Sequence, residues 1–234
     1  MSASNRTVIV TGAAGNLGKA VANAFADLGA NLVLVDLKRE SLEAAFGSEN
    51  DHRSFAPANL LEMAEATGVA QAALARFGRI DVLCNIAGGF RMGETVHETS
   101  DENWNFLFDI NTRTLLHAVR AVVPHMVSAG RGKIVNVGAF AAQKGVGRMG
   151  AYTASKATVI RMTEAMAAEL REKNINVNCV LPTVIDTPEN RAAMPKADPA
   201  KWVAPSDLAN VIVFLASDAA RAVHGAAVPV TSLS

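Results

Sequence analysis

The sequence has little that would tie it to a membrane or to a nucleic acid. Basic and acidic residues number 22 each, so the formal net charge is zero. No run of lysine or arginine is present to contact a phosphate backbone or an anionic membrane surface. No apolar run is long enough to span a bilayer, and residues 1–6 lack the apolar stretch of a signal peptide. These absences predict a cytoplasmic protein without a membrane or nucleic-acid partner.

Cysteine and histidine are also sparse. Cys84 and Cys179, the only two cysteines, lie in apolar, strand-like runs where a free thiol behaves as a small hydrophobic group. Neither has a second cysteine or a histidine at ligand spacing, and the five histidines are scattered. We therefore expect neither a disulfide nor a metal site.

The order of apolar runs predicts the fold. Half of the 234 residues are hydrophobic, enough for one sizeable core. Short β-branched runs alternate with helical patterns, which is typical of parallel strands with helical crossovers covering both faces of the sheet. We predict a single-domain α/β fold, a doubly wound parallel sheet in a three-layer Rossmann arrangement. The predicted strands are 8–10, 32–35, 82–84, 134–137, 177–181 and 227–230.

The sequence also predicts three helices and one irregular segment between these strands. One helix is predicted from about residue 16 to 28 and another from 151 to about 173. A third begins at Thr99, which has capping-box spacing to Glu102. Residues 186–205 are rich in proline and charge, and we expect them to form a substrate lid.

A glycine-rich turn follows the first predicted strand and leads directly into a helix. Such a turn aims backbone N–H groups at a phosphate, and its missing side chains allow close approach. Three glycines in a turn are often only structural, but strand, turn, helix and second strand occur here in the order of a dinucleotide site. The predicted cofactor contacts in this turn are Gly12, Gly15, Asn16, Leu17 and Gly18.

Asp36 ends the second predicted strand, at the separation from the glycines where a carboxylate reaches the adenosine ribose hydroxyls. A carboxylate at that place repels the 2′-phosphate of NADP, so NAD is the favoured cofactor. Lys38 and Arg39 leave NADP open as the alternative, and Asp36 as a simple strand-end residue is the structural alternative.

Tyr152, the only tyrosine, and Lys156 are four residues apart in a helical segment and therefore share a face. A phenol with a pKa near 10 needs a nearby cation to exchange protons at neutral pH. The pair therefore predicts acid–base chemistry; the alternative is a solvated helix face.

Together with Asn111 and the segments 85–88 and 182–187, these motifs resemble the short-chain dehydrogenase/reductase family in order and over nearly the whole chain. The resemblance implies that Tyr152 is the general acid or base, that Lys156 lowers its pKa and binds ribose, and that Asn111 maintains a proton relay. Further cofactor contacts that it implies are Asn59, Leu60, Asn85, Ala87, Gly88, Pro182, Ile185 and Thr187. It also implies a homodimer or homotetramer, packed through helical stretches around 106–126 and 159–166.

The sequence departs from the family's pattern at several positions. Ala139 occupies the place of the catalytic serine, thirteen residues before Tyr152. Asn16 stands where the commonest pattern has glycine, Ile86 replaces a usual asparagine, and Thr183 replaces a usual glycine. The hydroxyl that would polarise a ketone is therefore missing.

Two substrate classes remain open. Residues 138–142, 84–90 and the lid are similar to quinonoid dihydropteridine reductases, which also have alanine at the serine position. A secondary-alcohol dehydrogenase that recruits Gln143 or a water is the alternative, and a catalytically silent NAD-binding regulator or scaffold is the rival outside the enzymes. The predicted substrate-binding residues are Ala139, Gln143, Met149 and Trp202.

Overall fold

The computed structural model describes residues 3–234 and contains seven strands and eight α-helices among them. The strands are β1 (Thr7–Thr11), β2 (Asn31–Val35), β3 (Arg53–Phe55), β4 (Val82–Asn85), β5 (Gly132–Val137), β6 (Ile175–Pro182) and β7 (Ala227–Val230). The helices are α1 (Asn16–Ala26), α2 (Arg39–Phe46), α3 (Met63–Phe77), α4 (Asp101–Phe108), α5 (Thr114–Ala129), α6 (Gly150–Leu170), α7 (Pro188–Ala193) and α8 (Pro205–Leu215).

All seven strands are parallel and form one sheet in the order β3-β2-β1-β4-β5-β6-β7. Successive strand residues face opposite sides, so Val8 and Val10 enter one core while Ile9 enters the other. Helices α1 and α8 cover the first side, and α3, α5 and α6 cover the second. This arrangement confirms the doubly wound, three-layer α/β prediction.

The sheet topology fixes where a ligand can bind. The chain order reverses between β1 and β4, which lie side by side with Thr11 paired to Asn85. In an open parallel sheet, the crevice at the carboxyl ends of the strands beside such a reversal is the general ligand site. The ends of β1, β4, β5 and β6 therefore place the predicted site residues along one edge.

The structure corrects two details of the sequence analysis. Strand β3 was not among the predicted strands, and it is a three-residue strand at the sheet edge. The third predicted helix begins after Ser100, whose side chain accepts a hydrogen bond from the Asn103 N–H, so Ser100 and not Thr99 is its N-cap. No helix within residues 3–234 is long and apolar enough to cross a membrane.

Candidate active site

The glycine turn packs so closely that side chains are excluded at two positions. Gly12 has a φ of +63°, in the left-handed region, and a Cβ there would lie 2.8 Å from the Ala87 Cα. A Cβ at Gly18 would collide with the Gly12 carbonyl oxygen and lie 2.7 Å from the Ala13 Cα. The turn therefore packs closely against the first residues of α1 and against the segment that follows β4.

This turn has the donors that a pyrophosphate needs. The backbone N–H groups of Asn16, Leu17 and Gly18, at the start of α1, donate to no hydrogen-bond acceptor within residues 3–234. Free N–H groups at a helix N-terminus, combined with the helix dipole, favour an anion. These three N–H groups fit the phosphates of a dinucleotide.

Asp36 lies beside the same turn. Its carboxylate accepts hydrogen bonds from the Ala14 N–H at 3.0 Å and the Leu37 N–H at 2.8 Å. The segment after β3 is held beside Asp36, because the Ala58 N–H donates a hydrogen bond to the Asp36 carbonyl oxygen. Asn59 follows, and its side-chain oxygen accepts from Leu61 N–H, while Leu60 is buried.

The Thr11 hydroxyl joins the end of β1 to the segment after β4, a role that the sequence analysis missed. Its oxygen accepts hydrogen bonds from the N–H groups of Ile86 and Ala87 at 3.0 and 3.1 Å. Threonine immediately before the first glycine was the available signal. Gly88 follows this contact and lies beside two of the predicted catalytic side chains: a Cβ on Gly88 would lie 3.0 Å from Asn111 Oδ1 and 3.1 Å from Lys156 Nζ.

Tyr152 and Lys156 lie one turn apart in α6, as predicted. The buried Lys156 ammonium donates a 2.8 Å hydrogen bond to the Val137 carbonyl oxygen at the end of β5, and burial lowers its pKa to about 8. Burial raises the pKa of Tyr152 to about 12. The family resemblance implied a lysine that lowers the tyrosine pKa; in this structure burial dominates, and Tyr152 is a neutral phenol near pH 7.

Asn111 lies in a π-helical turn, Asp109–Arg113, between α4 and α5. Its side chain pairs with both backbone polar groups of Gly89: Oδ1 accepts from the Gly89 N–H at 2.9 Å and Nδ2 donates to the Gly89 carbonyl oxygen at 3.0 Å. Nδ2 also donates to Ser155 Oγ, which donates to the Tyr152 carbonyl oxygen. The buried Ser155, absent from the sequence predictions although it precedes Lys156, thus links Asn111 to the tyrosine backbone.

Apolar side chains pack against the Tyr152 ring. Ala139 is 4% exposed and belongs to a small cluster with Ile160 and Leu181, against which Tyr152 packs. The exposed Phe90 also contacts the ring, edge to face, with 4.8 Å between ring centroids. The Tyr152 hydroxyl has no hydrogen-bond partner within residues 3–234, and at position 139 a methyl group replaces the expected hydroxyl.

The remaining predicted substrate residues differ in exposure. Gln143 is exposed, with its amide 3.5 Å from the Phe140 carbonyl oxygen, and Met149 is the half-buried N-cap of α6. Trp202 is 7% exposed and packs at the base of the lid. The roles of Gln143, Met149 and Trp202 in substrate binding stay predictions, with Trp202 the most buried of the three.

The lid begins at the end of β6, after Pro182. Ile185 forms a parallel bridge with Val203, so the two ends of the lid are joined at its base. The Thr187 side chain caps α7 by accepting from the Asn190 N–H. The structure therefore gives the segment 186–205 a defined shape instead of an irregular loop.

The described residues hold no group of three or more histidine, cysteine, aspartate or glutamate side chains suited to a metal ion. Cys84 and Cys179 are both buried free thiols. The groups described above in the site are a phenol, an ammonium group, a carboxylate, hydroxyls, an amide and backbone N–H groups.

Comparisons with known proteins agree with this geometry. The family model for short chain dehydrogenases matches residues 6–198. D-threitol dehydrogenase of Mycolicibacterium smegmatis is 35% identical, with 94% of this chain and 89% of that protein covered. The 3-oxoacyl-(acyl-carrier-protein) reductase FabG of Thermotoga maritima is 32% identical, with 96% of each chain covered.

A solved structure of similar architecture is the NAD⁺-bound xylitol dehydrogenase, at 26% identity and a TM-score of 0.90, covering 99% of this chain and 100% of that one. The named proteins are dehydrogenases or a reductase that differ in the substrates their names give. This chain therefore belongs to the short-chain dehydrogenase/reductase family of NAD(P)-dependent oxidoreductases.

Proposed function

We propose that this enzyme uses NADH to reduce a small cyclic substrate that is already electron-poor, such as a quinonoid dihydropterin or an iminium-like ring, with Tyr152 as the proton donor. The observation that carries the proposal is the buried methyl group of Ala139 where the family resemblance expects a hydroxyl. Loss of one positioned donor typically costs a ketone reduction two to three powers of ten in rate. A ring that regains conjugation on reduction develops little oxyanion charge and needs no such donor.

Tyr152 is in the protonation state that a proton donor requires. A bound nicotinamide would supply the hydride. Burial raises the pKa of Tyr152 to about 12, so the phenol is protonated near pH 7, and release of that proton needs an adjacent positive charge. The Lys156 ammonium, hydrogen-bonded to Val137 O, provides the adjacent positive charge and a donor for ribose. Asn111 forms hydrogen bonds with Gly89 and Ser155. These bonds hold the loop in which Phe90 contacts the phenol ring.

Two features support NADH over NADPH. The Asp36 carboxylate lies at the glycine turn, where it would accept hydrogen bonds from ribose hydroxyls and repel a 2′-phosphate. Arg39 is already engaged, 3.6 Å from Glu43 and 3.3 Å from Glu49, with its guanidinium 5.8 Å from the Phe55 ring centroid. These carboxylates would compete with an added phosphate for the Arg39 guanidinium.

A second candidate is NAD-dependent oxidation of a polyol or another secondary alcohol. The names of the relatives, D-threitol dehydrogenase and xylitol dehydrogenase, favour it. It requires another donor in place of the serine, and the exposed Gln143 is the nearest candidate in the same turn as Ala139. Proton transfer to and from the alcohol oxygen would again pass through Tyr152.

One experiment compares these candidates. Purified enzyme is assayed for NADH oxidation with a quinonoid dihydropterin, simple ketones, quinones and imines, and for NAD⁺ reduction with D-threitol and xylitol. The proposal expects the highest kcat/KM with an electron-poor ring and its loss in Tyr152→Phe. A higher value with a polyol would favour the second candidate, and no turnover with any of these compounds would favour the silent NAD-binding regulator.

We further propose that the enzyme is a homodimer or homotetramer. Large apolar side chains are exposed on the α4 and α5 surface, where Trp104 stacks on Phe108 and Leu116 and Val127 face outward. A partner subunit would cover such a surface.

A further inference from the structure

The tip of the lid, residues 188–200, is tied to the body of the protein by one hydrogen bond. Within residues 3–234, the single hydrogen bond between this lid tip and residues outside 184–203 joins Asn16 Nδ2 to Glu189 Oε2 at 2.9 Å. Asn16 belongs to the glycine turn, 173 residues away in sequence. The lid tip therefore meets the body at the turn that would hold the cofactor phosphates.

Asn16 brings the lid to the phosphate site itself. Its own backbone N–H is one of the three free donors at the start of α1. Most members of the family resembled have glycine at the position of Asn16. A glycine has no amide side chain, so this contact depends on the asparagine of this chain.

Contacts within the lid surround the helix that carries Glu189. Arg191 makes a bidentate ion pair with Asp186, at 2.6 and 2.7 Å, and the Asn190 side chain donates to the Ile185 carbonyl oxygen. The base of the lid is closed by the bridge between Ile185 and Val203. Glu189 therefore cannot leave Asn16 through a side-chain rotation of its neighbours alone; the lid tip must move or the Glu189 side chain must turn away.

Glu189 is anionic in this position. Hydrogen bonds from its own backbone N–H, from the Thr187 hydroxyl and from Asn16 hold its pKa below the ordinary value, and Lys19 is the cation that faces it. A dinucleotide at the turn would add two phosphate charges next to this carboxylate. One lysine does not offset both, so the carboxylate and the pyrophosphate oppose each other.

We propose that Glu189 determines cofactor affinity: its carboxylate holds the lid tip on the phosphate turn through Asn16 and disfavours a bound pyrophosphate, so that binding must separate the two. This inference rests on the proposed nicotinamide site. It assigns Asn16 as the positioning residue for the lid and Glu189 as the charged group that limits affinity.

The test separates charge from contact by calorimetric titration with NADH and with adenosine, which lacks phosphate. Glu189→Gln retains an acceptor for Asn16 and removes the charge. We expect the Kd of NADH to fall about threefold to tenfold, less so at high salt, because the repulsion acts across partly solvated space. The Kd of adenosine should not change, and Glu172→Gln, an exposed glutamate on another element, should leave both values unchanged.

A second variant tests the hydrogen bond between Asn16 and Glu189 by a measurement that does not depend on enzyme activity. Asn16→Gly removes the donor, and we expect trypsin to cleave the cofactor-free protein after Arg191 or Lys196 several times faster than the unmodified protein. Equal cleavage rates, or an NADH Kd that stays constant or rises in Glu189→Gln, would overturn this inference alone. Failure of the unmodified protein to bind NADH would overturn the proposed cofactor and this inference with it.

Discussion

The Lys156 ammonium lies 2.8 Å from the Val137 carbonyl oxygen in the protein interior, and burial lowers the pKa of this lysine from 10.5 to about 8. The folded protein therefore loses this proton at a lower pH than the unfolded chain does. Between these two pKa values the unfolded chain binds more protons, so the free energy of unfolding rises with pH across that interval.

Lys156→Met removes the titrating group and should abolish this rise. We expect the unmodified protein to gain stability relative to the variant by on the order of 3 kcal/mol between about pH 7 and pH 10. Urea unfolding of both proteins over that range measures the difference. Parallel pH dependence in the two proteins would contradict the buried, pKa-lowered lysine.

Gly18→Ala should destabilise the protein, because the new Cβ would meet backbone atoms, 2.7 Å from Ala13 Cα and 2.8 Å from Ala13 O. We expect a loss of about 1–3 kcal/mol in the free energy of unfolding and weaker NADH binding. Gly68→Ala is the matched control, since Gly68 lies inside α3 with no heavy atom within 4 Å of the added Cβ. That variant should gain about 1 kcal/mol from helix propensity, and equal effects at the two sites would refute the close packing of the turn.

Periodic and local features of this protein could be predicted from its sequence. The alternation of apolar runs predicted six of the seven strands, and the spacing of Tyr152 and Lys156 predicted their shared helix face. Strand β3 was missed because it has three residues at the sheet edge and only Phe55 is buried. The wrong cap reflects a contact within the preceding loop: the Glu94 carboxylate accepts hydrogen bonds from the N–H and the hydroxyl of Ser100, which the capping-box pattern does not include.

The contacts missed in the site link distant parts of the chain. Asn16 meets Glu189, and Thr11 meets Ala87, only after the parallel sheet has brought the strand ends together. The pKa of Tyr152 likewise depends on burial among Ala139, Leu181 and Phe90, which no spacing rule predicts.

We expect NADH to bind more tightly than NADPH, because the Asp36 carboxylate would accept hydrogen bonds from the ribose hydroxyls and would repel the added phosphate. Asp36→Ala should narrow the difference between the Kd values of NADH and NADPH, chiefly by weakening NADH binding. Fluorescence titration of both cofactors with both proteins provides the measurement. Equal or tighter NADPH binding by the unmodified protein would show that Asp36 does not select the cofactor.

Assembly should depend on the exposed surface of α4 and α5. Light scattering at micromolar concentration should give the mass of a dimer or tetramer, and Trp104→Ala should shift the protein toward monomer by removing its largest exposed apolar side chain there. Leu233→Ala, an exposed apolar residue near the end of the chain, is the control and should leave the mass unchanged. A monomeric unmodified protein would contradict the prediction.

Ala139→Ser tests why the expected hydroxyl is missing. A serine adds one oxygen to the apolar cluster beside Tyr152, whose own hydroxyl has no partner within residues 3–234, and this oxygen can polarise a ketone. We expect kcat/KM for simple ketones to rise by about tenfold or more, while turnover of an electron-poor ring changes only a few-fold, because that ring develops little oxyanion charge. Ala142→Ser, in the same apolar cluster, should give neither effect, and Tyr152→Phe should damage ketone turnover most. Steady-state kinetics on both substrate types decide the matter: if the unmodified enzyme already reduces simple ketones efficiently and the added serine changes nothing, another residue supplies the hydrogen bond and the role assigned to Ala139 is wrong.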